Sequence, residues 1–277
     1  MGNFDWVSWE FRWAWIERRD LSSVSSLMTL SVMYLVMITV GCYLMKGRKP
    51  FNVTPLTIPH NLVMCLFSIY CFVGMTRTFT FNYINHPSQN PFVVFCDPDN
   101  NLYQDMNYWY YLFYVSKFVE YLDTVFLILK GKQVMPPENS QYTLHVFHHA
   151  VTATMSWICL YYHIAIAWIG PILNTFVHIW MYGYYALAEM NKIDRRLGGK
   201  FITPIQIIQF VVCWVAMVVE VLVNLRVDCG ADLNVIGFEL LNYAVFFVFF
   251  VKIYQDKKTL RDTSPAQNSQ KQDKKTD

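Results

Sequence analysis

Residues 203–225 read TPIQIIQFVVCWVAMVVEVLVNL, twenty-three residues with no Lys or Arg among them. About 20 such residues cross the hydrocarbon core of a bilayer, and in lipid the backbone must satisfy its own hydrogen bonds as a helix. Six further apolar stretches of this kind stand at 26–45, 59–76, 108–129, 142–162, 165–187 and 233–254. The block at 59–76 is the weakest, being short and interrupted by Asn61 and Ser68. Over all 277 residues, 55% are apolar, 17% aromatic and 15% charged, against about 25% charged in a soluble domain. That composition excludes a secreted disulfide scaffold, a disordered chain and an ordinary cytosolic enzyme. The net charge of +2 leaves no basic face for nucleic acid. The expectation is an all-α integral membrane protein of seven transmembrane helices, without internal repeats or a cleavable signal peptide.

Lys and Arg orient the spans. The connections at 46–49, 130–141 and 189–202, with the tail from Lys252 onward, hold sixteen of the 22, and the opposite side holds five. The positive-inside rule places the C-terminus in the cytosol and the N-terminus across the membrane. Residues 1–25, with Trp6, Trp9, Trp13 and Trp15 among charges, suit a luminal membrane interface; 26–254 form the membrane domain. Residues 255–277 read as a disordered cytosolic tail. Lys274 and Lys275, four and three places from its end, resemble the dilysine signal that returns membrane proteins to the endoplasmic reticulum. Five cysteines lie in apolar segments, where a buried thiol is the default. Cys96 and Cys229 both fall in connections on the non-cytosolic side, where disulfides form, and are expected to pair.

An ionisable side chain inside a span costs roughly 2.5–3.5 kcal/mol on the insertion scale, so each needs a reason. Apart from Lys252, at the cytosolic edge of the last span and counted with the tail, Lys117 is the one basic residue within a span. Glu120 follows three places on and Thr124 four beyond that, spacings that share a helix face; Asp123 stands between. Span 4 opens with His145-Val146-Phe147-His148-His149, in which two imidazoles one turn apart stack and the third is offset by about 100°. Span 5 carries Asn174 and His178, continued by Tyr182 and Tyr185, and span 6 opens with Thr203, Gln206 and Gln209. His60 and His86 stand isolated, and Glu220 and Glu239 sit toward the far side with no functional reading. Combined with the topology, the polar sets of four helices fall at one depth in the cytosolic half. Polar groups converging inside an apolar bundle mark a buried site.

Three chemistries use such a cluster. Histidine-rich di-iron desaturases and hydroxylases need about eight histidines, and this chain has seven, four of them at the cluster. A seven-helix transporter or receptor would use the charges as a relay, yet no inverted repeat or broken-helix pair is visible. Acyl transfer is the third. No serine stands beside the histidines, so a histidine nucleophile is natural there.

Four motifs occur in order: Lys117-x-x-Glu120-x-x-Asp123-Thr124, His145-x-x-His148-His149, Asn174-x-x-x-His178-x-x-Met181-Tyr182-x-Tyr184-Tyr185 and Thr203-x-x-Gln206-x-x-Gln209. With Arg48-Lys49-Pro50-Phe51, they resemble the very-long-chain fatty acid elongase family, the integral-membrane 3-ketoacyl-CoA synthases of the endoplasmic reticulum, over roughly 46–254. The resemblance implies helices 2–7 arranged as a barrel around a closed-ended acyl tunnel that opens to the cytosol. It implies a 3-oxoacyl-CoA synthase, an acyltransferase that condenses a long-chain acyl-CoA with malonyl-CoA, releasing CO2 and CoA. No cofactor or metal is implied.

By the same resemblance His148 attacks the thioester to form an acyl-imidazole, and an enolate from malonyl-CoA then attacks that acyl group. His178 and Asn174 are the candidate oxyanion donors, while His145 and His149 orient the nucleophile or move its proton. Lys117, Glu120 and Asp123 would position the span-4 histidines; Thr124, Tyr182, Tyr185, Gln206 and Gln209 organise the site. Lys130, Lys132, Arg195, Arg196, Lys200 and Lys252 are candidates for the CoA phosphates, though positive-inside alone also places charges there. Implied partners are membrane lipid, a second copy of the chain, and the ketoacyl reductase, dehydratase and enoyl reductase that complete an elongation cycle.

Overall fold

The computed structural model describes residues 21–103, 105–162, 164–194, 198–227 and 229–262, excepting the side chains of 199, 257 and 260–262. Among them no strand occurs beyond an isolated bridge between Val134 and Pro137. The helices are α1 (Val24–Met45), α2 (Thr54–Ile84), α3 (Met106–Val119), α4 (Tyr121–Leu129), α5 (Ser140–Tyr161), α6 (Ile169–Glu189), α7 (Thr203–Asn224) and α8 (Leu233–Asp262). Five helical segments are long and apolar enough to cross a membrane: Val24–Met45, Thr54–Ile84, Ala165–Glu189, Lys200–Asn224 and Leu233–Asp256. The two expected spans not among these, 108–129 and 142–162, are those that carry the Lys117 and His145 motifs. Their polar residues lower the hydropathy, and the first is divided by a turn at Glu120.

Capping chemistry sets several boundaries. Ser23 accepts from the Ser26 amide at 3.1 Å to start α1, and Asn139 accepts from the Tyr142 amide at 3.1 Å to start α5. Pro55 and Pro204 occupy the first turns of α2 and α7, where a missing N–H costs nothing. α2 runs for 31 residues, well past the expected 59–76 at both ends. Asn61 and Ser68, which weakened it by hydropathy, are both buried, and the Ser68 hydroxyl donates to the Met64 carbonyl at 2.7 Å. A residue placed between helices need not suit lipid. α8 likewise continues to Asp262, through residues expected to be disordered from 255. Its exposed last turns are tied by the Ser140 hydroxyl donating to Asp256 at 3.2 Å and by the Thr259 hydroxyl donating to the Gln255 carbonyl at 3.1 Å. Lys274 and Lys275, and most of the N-terminal interfacial segment, lie outside the described residues.

Helix contacts run from α2 to α6, α6 to α7, α7 to α8, α8 to α5, α5 to α3 and α3 to α2; α1 packs on α4 and α5. The α2–α3 approach is close enough that a Cβ at Gly74 would overlap the Trp109 ring, whose Nε1–H donates to Thr78 at 2.9 Å. At the end where α2 passes to α3, Cys96 and Cys229 form a disulfide, their Cα atoms 5.1 Å apart. Beside it Asp97 bonds buried His86 at 3.3 Å and the Leu102 amide at 2.7 Å. The start of α1 is moored to α3 and α5, Tyr114 donating to the Leu21 carbonyl and Trp157 to that of Ser22.

Candidate active site

At the opposite end the helices enclose a cavity of about 490 Å3. Its wall includes His145, His148 and His149 from α5, Asn174, His178, Tyr182 and Tyr185 from α6, and Gln206 and Gln209 from the first turns of α7. Glu120 and Asp123 line it from the third rod, the pair α3 and α4 joined at Glu120, and Asn61 from α2. Five rods thus supply polar groups to one space whose wall also carries apolar side chains, among them Leu144, Val177, Phe210 and Phe250. That is the composition of a ligand cavity: apolar bulk with a few oriented polar groups.

The turn at Glu120 sorts the third rod's polar residues onto different partners. Lys117, 2% exposed, donates to Glu120 Oε1 at 2.8 Å and to Asn174 Oδ1 at 2.9 Å, with its ammonium 4.1 Å from the Phe113 ring centroid. Glu120 Oε1 also faces His178 Nδ1 at 3.6 Å. Breaking such a pair strands a charge in a medium that solvates it poorly. Thr124 does not join this face as the three- and four-residue spacings predict. Its hydroxyl bonds His145 Nε2 at 2.9 Å and the Tyr34 hydroxyl of α1 at 3.1 Å. Asp123 bonds His60 Nε2 at 2.9 Å through one oxygen and accepts from the Tyr182 hydroxyl at 2.7 Å through the other. Lys117 and Glu120 therefore reach Asn174 and His178 on α6, and it is Thr124 that holds an α5 histidine.

The α5 histidines fan out over a little more than one turn. His145 and His149 meet edge to face with centroids 4.5 Å apart, where the one-turn spacing alone predicts stacking. Adjacent His148 and His149 are nearly perpendicular at 5.3 Å. His148 lies 5.2 Å from the Phe246 ring of α8. The four-residue step between Asn174 and His178 puts both on the cavity face of α6, and Gln206 of α7 contacts Met181 of α6 at 3.7 Å.

Among the basic candidates, Lys130 lines the cavity and forms an ion pair with Glu189, which lines it too. Lys132, Lys200 and Lys252 are exposed and form no part of its wall. Arg195 and Arg196 lie outside the described residues. His60, Tyr34 and Glu189 are site neighbours that the motif reading left out. His60 carried a usable signal, an ionisable residue at the edge of an apolar span. Tyr34 carried none, since aromatic residues are common in such helices.

The family model of the GNS1/SUR4 family, ELO, matches residues 20–265. Fatty acid elongase A of Dictyostelium discoideum is 31% identical over 261 residues, covering 91% of this chain and 90% of that protein. Very long chain fatty acid elongase 4 of Homo sapiens is 30% identical over 282 residues, covering 93% and 82%. Very long chain fatty acid elongase 2 of Rattus norvegicus is 29% identical over 252 residues, covering 88% and 85%. With the match extending over every described helix, the chain belongs to the GNS1/SUR4 (ELO) family.

Proposed function

We propose that this chain is the condensing enzyme of fatty acid elongation, a very-long-chain 3-oxoacyl-CoA synthase taking acyl-CoA and malonyl-CoA. The observation that carries the reading is the convergence of His148, His178 and Asn174 on one largely apolar cavity, with Lys117 and Glu120 holding the α6 pair from behind. The relatives' names, fatty acid elongases, support it.

In the first half-reaction a ring nitrogen of His148 attacks the thioester carbonyl carbon and the C–S bond breaks. CoA leaves as the thiol, carrying the proton lost from the imidazole. Malonyl-CoA then loses CO2, and the electron pair of that C–C bond becomes a thioester enolate. The enolate carbon attacks the acyl-imidazole, the C–N bond breaks, and His148 regains a proton as 3-ketoacyl-CoA departs. One proton is consumed overall, and no metal or redox cofactor enters. Donors held ready in a dry cavity stabilise the oxyanions; His178 and the Asn174 amide, whose oxygen is occupied by Lys117, suit that role.

The helix contacts, which pass through α2, α6, α7, α8, α5 and α3 and return to α2, support a barrel of six rods with α1 outside it, the α3–α4 rod counting as one of seven spans. We place the cavity mouth in the cytosol, where the basic connections lie and CoA thioesters are found, and the disulfide-bearing end in the lumen of the endoplasmic reticulum. The reductases and dehydratase of an elongation cycle, and a second copy of this chain, are its proposed partners.

The test is purified protein incubated with acyl-CoA alone. Mass spectrometry is expected to detect an acyl adduct on His148 that malonyl-CoA discharges with formation of 3-ketoacyl-CoA. Full activity of His148→Ala would remove His148 as nucleophile, and iron at one or more equivalents in active protein would replace this reading with an oxidative one.

A further inference from the structure

The cavity does not end at the histidines. A chamber of about 40 Å3 shares His148, Asn174, Gln209 and Phe210 with its wall and continues along α5 and α8 to Glu239 and Tyr243. Two polar atoms on residues lining this chamber have no hydrogen-bond partner among the described residues: Glu239 Oε1 and Thr152 Oγ1. Glu239 is 3% exposed. Buried polar atoms are nearly always hydrogen-bonded, so two orphans on residues that line one space point to an occupant that donates or accepts. The chamber is several times the ~10–15 Å3 needed by one water. A plain alkyl chain entering it would leave both atoms unpaired, which is unfavourable for a carboxyl and a hydroxyl alike.

Helix geometry locates these groups relative to the chemistry. Thr152 stands four residues beyond His148 on α5, roughly 6 Å along the axis. Glu239 stands seven residues from Phe246, whose ring packs on His148, and so roughly 10 Å along the α8 axis from it. An acyl chain with its carbonyl at His148 brings its middle carbons to that depth.

Resting on the acyl-CoA reading above, we propose that the chamber is a subsite for a hydroxyl group carried mid-chain on the acyl substrate, bound by Glu239 and Thr152. Its substrate class is then hydroxyacyl-CoA rather than only the unsubstituted thioester.

The experiment compares palmitoyl-CoA with analogues bearing one hydroxyl at successive carbons, using the purified full chain and malonyl-CoA. The readout is the ratio of kcat/KM for each analogue to that for palmitoyl-CoA. A mid-chain analogue is expected to be preferred at least tenfold, with the ratio falling toward one in Glu239→Leu and Thr152→Val. Glu239→Gln, which keeps a hydrogen-bonding end, is expected to retain the preference. The proposal is overturned if no hydroxylated analogue is preferred, or if the preference survives both apolar substitutions. Thr152→Val preserves side-chain shape and carries the test if Glu239→Leu does not fold. Thermal-shift affinities for the same thioesters, measured in parallel, separate the two readings. Absence of condensation with the binding preference intact removes the reaction and keeps the subsite; condensation without the preference does the reverse.

Discussion

His60 of α2 and Asp123 of α4 are joined across 2.9 Å, leaving the second carboxylate oxygen to the Tyr182 hydroxyl of α6. One carboxylate thus ties three helices together at the cavity wall. A hydrogen bond to a charged group contributes about 1.5–3 kcal/mol, and ~1.4 kcal/mol is a factor of ten in rate. His60→Leu is therefore expected to lower kcat for condensation about tenfold, with His60→Gln recovering part of it. Initial rates of 3-ketoacyl-CoA formation check this. A rate within twofold of the parent would mean that Asp123 is held adequately without His60.

Tyr34 reaches His145 through Thr124. Removing one hydroxyl from such a chain costs about 1 kcal/mol. Tyr34→Phe should reduce kcat roughly fivefold while leaving the acyl-CoA KM and the thermal unfolding temperature near their parent values. An unchanged kcat would show that His145 needs no support from α1.

Lys117 and Glu120 form the most deeply buried ion pair of the site. Removing one partner of a buried pair destabilises by about 3–5 kcal/mol, whereas replacing both with apolar residues is often nearly neutral. Lys117→Met should lower the unfolding temperature markedly, and Lys117→Met with Glu120→Leu should restore much of it without restoring activity. Thermal unfolding followed by size-exclusion chromatography distinguishes these outcomes. If the double variant is no more stable than the single one, the pair is not the source of the loss.

Lys130 meets Glu189 at the cavity wall, each partly exposed. Exposed pairs contribute at most about 1 kcal/mol, so an incoming CoA phosphate competes readily for the lysine. Lys130→Met is expected to raise the acyl-CoA KM severalfold, and Glu189→Gln to lower it, each with kcat little changed. Steady-state kinetics at fixed ionic strength provide the check; equal KM values would exclude Lys130 from CoA recognition.

The four motifs were legible because lipid penalises polar residues, so those inside apolar stretches stood out without any coordinates. Lys117, His145, His148, His178 and Gln209 all announced themselves that way, and all line one or both chambers. The same logic failed at Asn61 and Ser68, which it counted against α2 although both are packed within the protein. Hydropathy averages over a helix's circumference and cannot separate the face toward lipid from the face toward a neighbour. Nor could periodicity foresee that the third rod would turn at Glu120, because the residues around it read as continuous helix. With that turn, Glu120 and Thr124, four residues apart, serve different histidines. Glu239 was visible as an anomaly but belonged to no motif; in the structure it lines the small chamber beside His148.

α1 is the most peripheral of the long rods, and most of its large apolar side chains look outward. Tyr34 and Ile38 are nonetheless sealed inward, and the Tyr34 ring stacks on Tyr121 at 4.1 Å. The helix that resembles a removable membrane anchor thus backs the candidate site from outside its wall, Tyr34 bonding the Thr124 that holds His145. Shortened versions of this protein that begin after residue 45 are expected to behave as variants of the candidate site, and a fusion partner or tag that tilts α1 is expected to disturb His145 through Thr124.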